Sequence, residues 1–359
     1  MMKLFEELPE KLHQTNPHLV PPFPGSVAKL LGPKAPFAKR GRVSLFIAYK
    51  NGEPAGRIAA IVNRAHNEFY QDRVGFFGFF DFINDVEVAS LLLKTAEDEL
   101  KKQGLHSARG PYNPSINDEC GLLVEGFNSP PMVMMPFNPD YYQAIYEKLG
   151  LQSVRNLYAY YLSADVQVPE KINRVVERVK KRSGIVFRNL RLKELNEELK
   201  IIQELYNSTL KRNWGFVPVG YEELQFASAD LKQIVQPEFV MIAEKEGTAI
   251  GFSMLLPNIN EFMLKARKHR GLMRVLSFVW SLKTKSTKEA RLAVLGVKPE
   301  FENLGIPAVF YFESIQRGRK KLIGGELSWI EESNLPMMRS LELMGASRYK
   351  TYRIYEKTL

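Results

Sequence analysis

The sequence predicts an α/β fold with mixed α+β sheets, built as two copies of one domain in tandem. Three observations predict it: a length of 359 residues, an internal repeat at a constant spacing, and the same order of strands and helices in each half. The length exceeds one ordinary core and suits two domains. Apolar residues make up 45% of the chain, enough to build two cores.

Self-similarity carries most of this expectation. Residues 46–56, FIAYKNGEPAG, pair with residues 241–251, MIAEKEGTAIG, at an offset of 195. Ile47/Ile242, Ala48/Ala243, Lys50/Lys245, Gly52/Gly247, Gly56/Gly251 and Asn63/Asn258 match without a gap. Each copy reads as a β-hairpin, an apolar strand turning through a glycine into a second apolar strand. At the same offset Tyr146-Glu-Lys-Leu-Gly150 meets Leu341-Glu-Leu-Met-Gly345, and Tyr160 meets Tyr355. Both segments read as helix ends closed by glycine and followed by an aromatic strand.

Between these anchors the elements repeat in order. Strands are expected at 74–82 and 291–297, helices at 86–103 and 307–321, and further strands at 106–109 and 325–330. A last helix and a final strand close each half. The expected boundaries are an N-terminal domain 1–165 with a polar loop 109–137, a basic joining helix 166–185, and a C-terminal domain 186–359 with a basic amphipathic insertion 262–291. Residues 14–42 are rich in Pro and Gly and read as a surface wrap.

The second half holds the stretch with a recognisable chemistry, LGVKPEFENLGIPAVFYF at 295–312. A buried strand ends at Val297, a loop turns, and a helix begins near Pro307. The first N–H groups of a helix lack partners and, with its dipole, attract anions such as a pyrophosphate. This turn resembles the signature of the GNAT N-acetyltransferase superfamily, in which a Q/R-x-x-G-x-G/A loop cradles the CoA pyrophosphate. Asn334 followed by Leu341-Glu-Leu-Met-Gly345 resembles that family's Asn-led helix. Two residues depart from the pattern: Glu302 stands where Gln or Arg is usual and would repel phosphate, and Pro307 has no N–H to donate. An ordinary strand-to-helix turn with Pro307 in the first helical turn is the alternative reading.

The resemblance implies two tandem GNAT-like acyl-CoA N-acyltransferase domains. It implies acyl-CoA or acetyl-CoA as co-substrate, with Leu295, Val297, Lys298, Leu304, Gly305, Ile306 and Asn334 at the CoA site. In this family a tyrosine in the last helix often protonates the leaving thiolate, which puts Tyr146 forward in the first half; a core aromatic is the alternative. The chain is also similar in plan to lipid N-acyltransferases of the bacterial ceramide-synthase type.

The polar loop gathers Arg109, Asn113, Ser115, Asn117, Asp118 and Glu119. A carboxylate here can take the proton from an amine that must be neutral to attack a thioester. Asp118 and Glu119 are the candidates, with Asn113 and Asn117 beside them; an Asx turn and helix cap is the competing reading. Chemistry is expected in a cleft between the halves. The single cysteine, Cys120, has no histidine within ten residues and reads as a buried structural residue. The five histidines show no ligand spacing, so no metal is expected.

The net charge of +10 is concentrated. Residues 262–291 hold nine Lys or Arg against one acid, Glu289, with Leu272, Met273, Val275, Leu276, Phe278, Val279, Trp280 and Leu282 among them. That pattern suits a helix lying in an anionic membrane interface; packing on the first half and attraction of another anion compete with it. Nucleic acid is not an expected partner, because its recognition motifs are absent. No run reaches the roughly 20 apolar residues of a membrane span, and MMKLFEELPEKLHQ lacks a signal peptide's apolar stretch. The expected function is an acyl-CoA-dependent N-acyltransferase acting on a small or lipid amine, cytoplasmic and peripheral on the inner face of the membrane. Two alternatives stay open: a FemX-like transferase using aminoacyl-tRNA, and a non-catalytic ligand- or membrane-binding protein on a decayed scaffold.

Overall fold

The computed structural model describes residues 1–359, apart from the side chain of Arg182. Helices α1 (Met2–Leu12), α2 (Ser26–Leu30) and α3 (Phe37–Arg40) precede the hairpin of β1 (Gly41–Lys50) and β2 (Glu53–Asn63). Next come α4 (Arg64–Tyr70), β3 (Val74–Phe82), α5 (Val86–Lys102) and β4 (Ser107–Gly110). Short strands β5 (Tyr112–Asn113), β6 (Glu119–Cys120) and β7 (Leu122–Glu125) lead to α6 (Tyr141–Lys148) and β8 (Gln152–Ser163). The second half opens with α7 (Glu170–Arg182), β9 (Ile185–Asn189), α8 (Leu195–Thr209) and α9 (Tyr221–Leu231). Hairpin β10 (Val240–Lys245) and β11 (Thr248–Pro257) is followed by α10 (Asn260–Ala266) and α11 (Gly271–Thr284). The chain ends with β12 (Glu289–Val297), α12 (Ile306–Gly318), β13 (Gly324–Glu331), α13 (Leu335–Leu343) and β14 (Ser347–Thr358).

Local chemistry explains the element ends. Asp85 caps α5 by accepting from the N–H groups of Glu87 at 2.8 Å and Val88 at 3.2 Å. Val88, Ala89, Leu92, Leu93, Ala96 and Leu100 then recur at helical spacing and are buried. β3 is buried along nearly its whole length, as its unbroken apolar run requires of a central strand beside a parallel neighbour.

The duplication extends to backbone detail. Asn51 and Gly52 turn the first hairpin with φ of 54° and 83°; Glu246 and Gly247 turn the second with 51° and 76°. Each hairpin shifts register at the matching place, between Ala48 and Tyr49 and between Ala243 and Glu244.

The chain forms two compact units: Met1–Leu157 with Asn260–Thr284 and Lys350–Leu359, and Tyr158–Ile259 with Lys285–Tyr349. These limits differ from the sequence boundaries in three ways. The last strand of each half, β8 and β14, is divided between the units. The joining helix α7 belongs to the second unit, where Val176 and Val179 pack with Val309 and Phe310 of α12. The basic insertion belongs chiefly to the first, because its polar anchors lie on N-terminal segments.

In the first unit the strand order is β1-β2-β3-β4-β14-β8, with β3 and β4 parallel. Its core joins Phe77, Phe80 and Phe82 of β3 to Leu92, Leu93 and Leu100 of α5 and Tyr146 of α6. In the second unit the order is β8-β13-β12-β11-β10-β9, with β12 and β13 parallel. Helices α7 and α12 cover one face of that sheet, and Leu205 of α8 packs with Ile242 and Phe252 on the other.

Candidate active site

The second unit carries the expected strand, turn and helix. β12 pairs with β13 at four positions only, from Glu289↔Gly324 to Leu292↔Leu327. On its other edge β12 pairs Met254↔Val294 and Leu255↔Leu292, so Ala293 is an extra residue in a β-bulge. The bulge bends β12 where its pairing with β13 stops. Beyond Leu292 no ladder pair joins β12 to β13, and backbone groups along a strand edge are ready donors and acceptors.

At the far end of β12 a 3₁₀ turn, Pro299–Leu304, runs into Gly305 with φ of 80° and then α12. The residues of this turn have distinct roles. Val297 and Ile306 are buried in the core under α7 and α12, leaving their backbones as the available groups. The Lys298 N–H donates to Ile250 O at 2.8 Å, and its ammonium lies 2.6 Å from Glu204. Leu304 is exposed and Leu295 half-buried. Glu302 sits 4.0 Å from Arg212, which offsets its charge. Asn334 caps α13, accepting from the Met337 N–H at 3.3 Å.

Gly305 also has a packing role: a methyl group on it would lie 2.7 Å from Val175 Cγ1 of α7. The fit to a CoA thioester is thus uneven. The open strand edges and the start of α12 suit its extended arm and a phosphate, while Glu302 and Pro307 weaken the phosphate side.

A buried polar cluster marks the point where the strands part. Arg291 Nε donates to Ser328 Oγ at 2.8 Å and lies 3.6 Å from Glu326, which is fully buried. Ser328 and Tyr349 donate their hydroxyls to Glu326. The Arg291 guanidinium stands 5.1 Å from the Trp329 ring centre. The sequence reading missed this cluster. Its signal was a charge at the third position of each strand, Arg291 in EARLAVLGV and Glu326 in GGELSWIE, followed by an apolar run.

In the first unit β3 has the matching bulge. Arg57↔Asp81 is followed by Ala59↔Gly78, and Phe79 takes φ of 46°. Here the strand edge is occupied. The Phe79 N–H donates to Asn113 Oδ1 at 2.6 Å, and a methyl group on Gly78 would lie 1.5 Å from Tyr112 O. The occupant is the β5–β6 ladder, in which Asn113 stands opposite Glu119.

That ladder gathers some of the expected residues and separates others. Asn113 donates to Glu119, with Asp81 and Arg57 close enough to act on its charge. Glu119 is exposed, and dehydration by neighbouring protein, then the Asp118 charge, raise its pKa from 4.5 to about 7. Asp118 instead closes a turn, accepting from Ser115 Oγ at 2.6 Å and its N–H at 3.2 Å. Asn117 donates its N–H to the same Ser115 hydroxyl at 3.2 Å. Tyr146 is fully buried among Phe77, Phe80, Phe82 and Tyr355, and its hydroxyl makes no hydrogen bond. Cys120 is buried on β6. Among the described residues no group of His, Cys, Asp and Glu could hold a metal ion.

The basic insertion is anchored in the first unit. Arg267 donates to Asn16 O at 2.7 Å and Leu19 O at 3.2 Å, Arg274 to Glu10 at 2.8 Å, and Asn260 to Pro131 O and Met132 O. Phe278 is buried 5.4 Å from Phe23. The opposite face of α11 presents Leu272, Met273, Leu276, Val279 and Trp280, all exposed. Among the described residues no helix is long and apolar enough to cross a membrane.

No family model matches the chain. Among solved structures, a tandem GNAT protein from the clavulanic acid biosynthesis pathway superposes with a TM-score of 0.58 at 10% identity, covering 99% of this chain and 93% of that one. A GCN5-related N-acetyltransferase of Sphaerobacter thermophilus gives 0.51 at 12% identity, with the same coverage. The fold is therefore that of two GNAT domains in tandem, as the repeat and the turn imply.

Curated relatives narrow this class. The chain is 34% identical to the bacterial ceramide synthase of Caulobacter vibrioides over 365 residues, covering all of this chain and 95% of that protein. It is 33% identical to protein YghO of Escherichia coli over 364 residues, covering 93% of it. The chain belongs to the family of these two proteins.

Proposed function

We propose that the protein transfers an acyl group from an acyl-CoA thioester to the nitrogen of a lipid amine. The observation that carries this reading is the bulged β12 parting from β13 and ending in the Gly305 turn. That arrangement suits an extended thioester arm with its phosphates at the start of α12. The relative's name supports the acceptor class, since a ceramide is an N-acylated long-chain amine.

In the reaction, the neutral amine attacks the thioester carbonyl carbon and the C–N bond forms. The C–S bond then breaks, the thiolate leaves and takes up a proton, and the nitrogen loses one. Glu119 is the assigned acceptor of the nitrogen's proton, because its pKa of about 7 matches the task at neutral pH. Asn113 positions it, while Asp118 and Asn117 hold the turn that presents it. The N–H groups along the open edge of β12 beyond Ala293, with those of Gly305 and Ile306, would hold the thioester arm and its phosphates. Tyr146 is left out of the assignment, because its ring and hydroxyl are enclosed by Phe77, Phe80, Phe82 and Tyr355 and it serves as a core aromatic.

The same reading puts the protein on the inner face of a membrane as a peripheral enzyme. The support is the exposed apolar face of α11 with Lys268, Arg270 and Lys283 around it. Titration calorimetry with acetyl-CoA and palmitoyl-CoA tests the donor. Saturable heat with either is expected; no heat from either, at protein concentrations of tens of micromolar, overturns the reading.

A further inference from the structure

Arg57 is a buried cation in the middle of an apolar strand. It is 6% exposed, and its β2 neighbours Ala55, Ile58, Ala59, Ala60 and Ile61 are all buried. β2 sets it opposite Asp81 of β3, and its Nε donates to the Asp81 carboxylate at 2.8 Å. We propose that the Arg57–Asp81 pair, clamped by α1, positions Glu119 for its work as base and sets the charge around it. The inference rests on the proposed function and adds to it two positioning residues on the acceptor side.

Three observations lead there. The first is what the pair holds. Phe79, in the β3 bulge, takes a φ of 46°. That conformation is costly for a bulky residue and persists only where the surroundings enforce it. The Phe79 ring centre lies 5.6 Å from the Arg57 guanidinium and 5.8 Å from that of Phe5 on α1. Arg57 is fixed in turn by donating to the Phe5 carbonyl and by standing 4.8 Å from the Phe5 ring centre. The Phe79 N–H is held by Asn113, the residue opposite Glu119 in the β5–β6 ladder. The ion pair and the Glu119 ladder thus share one anchor, Phe79.

The second is a comparison that the duplication supplies. Arg57 and Phe252 lie at the repeat offset of 195. Where the first copy pairs Arg57↔Asp81, the second pairs Phe252↔Gly296. Phe252 packs with Leu205 and Ile242 in an apolar core. The fold therefore does not require an ion pair at this position, and a buried pair is often no more stabilising than apolar residues of similar size. The copy with the charged pair is the copy that carries Glu119.

The third is the balance of charge. Asp118 and Asp81 raise the proton affinity of Glu119, while the Asn113 hydrogen bond and Arg57 lower it. His13, Tyr141 and Tyr142, which also feel Asp81, are neutral near pH 7: burial lowers the pKa of His13 at the end of α1 and raises those of the two tyrosines on α6. Arg57 and Asp81 accordingly push Glu119 in opposite directions, and removal of either one upsets the balance.

The test reads the Glu119 carboxyl directly, by carbon-13 NMR titration of the full chain labelled at the glutamate carboxyl carbon. Glu119→Gln identifies the resonance, and wild type is expected to titrate at about pH 7. Asp81→Asn should move the midpoint down and Arg57→Gln should move it up. Opposite signs are the mark of charge, whereas a loosened ladder admits water and moves both midpoints down. Arg57→Lys, which keeps the charge, should stay closer to wild type than Arg57→Gln. Where Arg57→Gln does not fold, Asp81→Asn carries the test, because asparagine keeps an oxygen for Arg57. Midpoints that stay at the wild-type value, or that move together, overturn the inference. A transfer assay with palmitoyl-CoA and octadecylamine in mixed micelles separates the two readings. If Glu119→Gln keeps the wild-type rate, the base assignment falls, while opposite shifts still uphold the pair's hold on the carboxyl. If Glu119→Gln is inactive and both ion-pair variants keep the wild-type rate profile, the base assignment stands and the inference falls.

Discussion

The face of α11 gives the sharpest prediction, because its exposed residues can be changed without touching its anchors. Leu276 is 52% exposed and Trp280 67%. A tryptophan carries about 200 Å² of surface, so about two thirds of it, at 25 cal/mol per Å², is worth about 3 kcal/mol on full insertion. Partial insertion halves this to about 1.5 kcal/mol, and Leu276 adds about 1 kcal/mol on the same scale. The double substitution Leu276→Ser/Trp280→Ser should therefore weaken partitioning into anionic vesicles by between one and two orders of magnitude. Flotation with phosphatidylglycerol-containing liposomes at low salt measures it. Thermal stability should stay within about 0.5 kcal/mol of wild type, as for other surface changes. Phe278→Ala provides the contrast: that ring is buried against Phe23, and its loss should destabilise the first unit by about 3 kcal/mol. Equal flotation of wild type and the double variant would refute the reasoning. So would equal binding to neutral and anionic vesicles, since the flanking cations should contribute about 1 kcal/mol each at an anionic surface.

The remaining predictions concern charge and backbone. Glu119→Gln should abolish transfer above neutral pH and remove the ionisation near pH 7 from the rate profile. The native carboxyl holds its proton between pH 4.5 and about 7 while the unfolded one does not, so wild-type stability should fall as pH rises through that window. The Gln variant should lack that fall in urea titrations at several pH values. Asn113→Ala removes a hydrogen bond that lowers the Glu119 pKa, so the midpoint of the rate profile should move to higher pH; a downward move would contradict the assignment. Gly305→Ala meets both a φ of 80° and Val175, and should cost about 2 kcal/mol or more in denaturant titration. Arg291→Met strands the Glu326 carboxylate in the interior and should cost about 3–5 kcal/mol, much of it regained by adding Glu326→Gln.

Which features the sequence revealed follows from how local their causes are. The hairpin at 46–56 and its copy at 241–251 were legible to the turn residue, because a two-residue turn with positive φ is written in adjacent positions. The strand at 74–82 matches the observed β3, since an apolar run bounded by polar residues contains its own limits. The unit boundaries were not legible. They cut through β8 and β14, each of which is divided between the units, and no spacing within one strand records such a division. The anchoring of α11 was hidden for the same reason: Arg267 and Arg274 read as part of a basic run, yet their partners lie about 250 residues upstream. Gly305 read as a phosphate-loop glycine, and only the approach of Val175 shows its second reason for being glycine.

The two copies have kept one backbone device and put it to different uses. A bulge bends β3 at Phe79 and β12 at Ala293, in each case on the strand that runs parallel to its next neighbour. In the first unit the edge beyond the bulge is closed by the chain itself. Asn113 takes the Phe79 N–H, Tyr112 covers Gly78, and the polar loop that does this carries Glu119. In the second unit the edge beyond Ala293 stays open and leads from the Gly305 turn to the pair Leu292 and Leu327. An edge satisfied by its own side chains has no donors left for a thioester arm, and an open edge without a group of suitable pKa has no base. Under the proposed function, the copy that closed its edge carries the carboxyl assigned as base, and the copy whose β12 edge is open carries the proposed donor site. Loss of Glu119 should therefore abolish transfer while leaving acyl-CoA binding intact, whereas a thioester that bound only the first unit would contradict this division at its root.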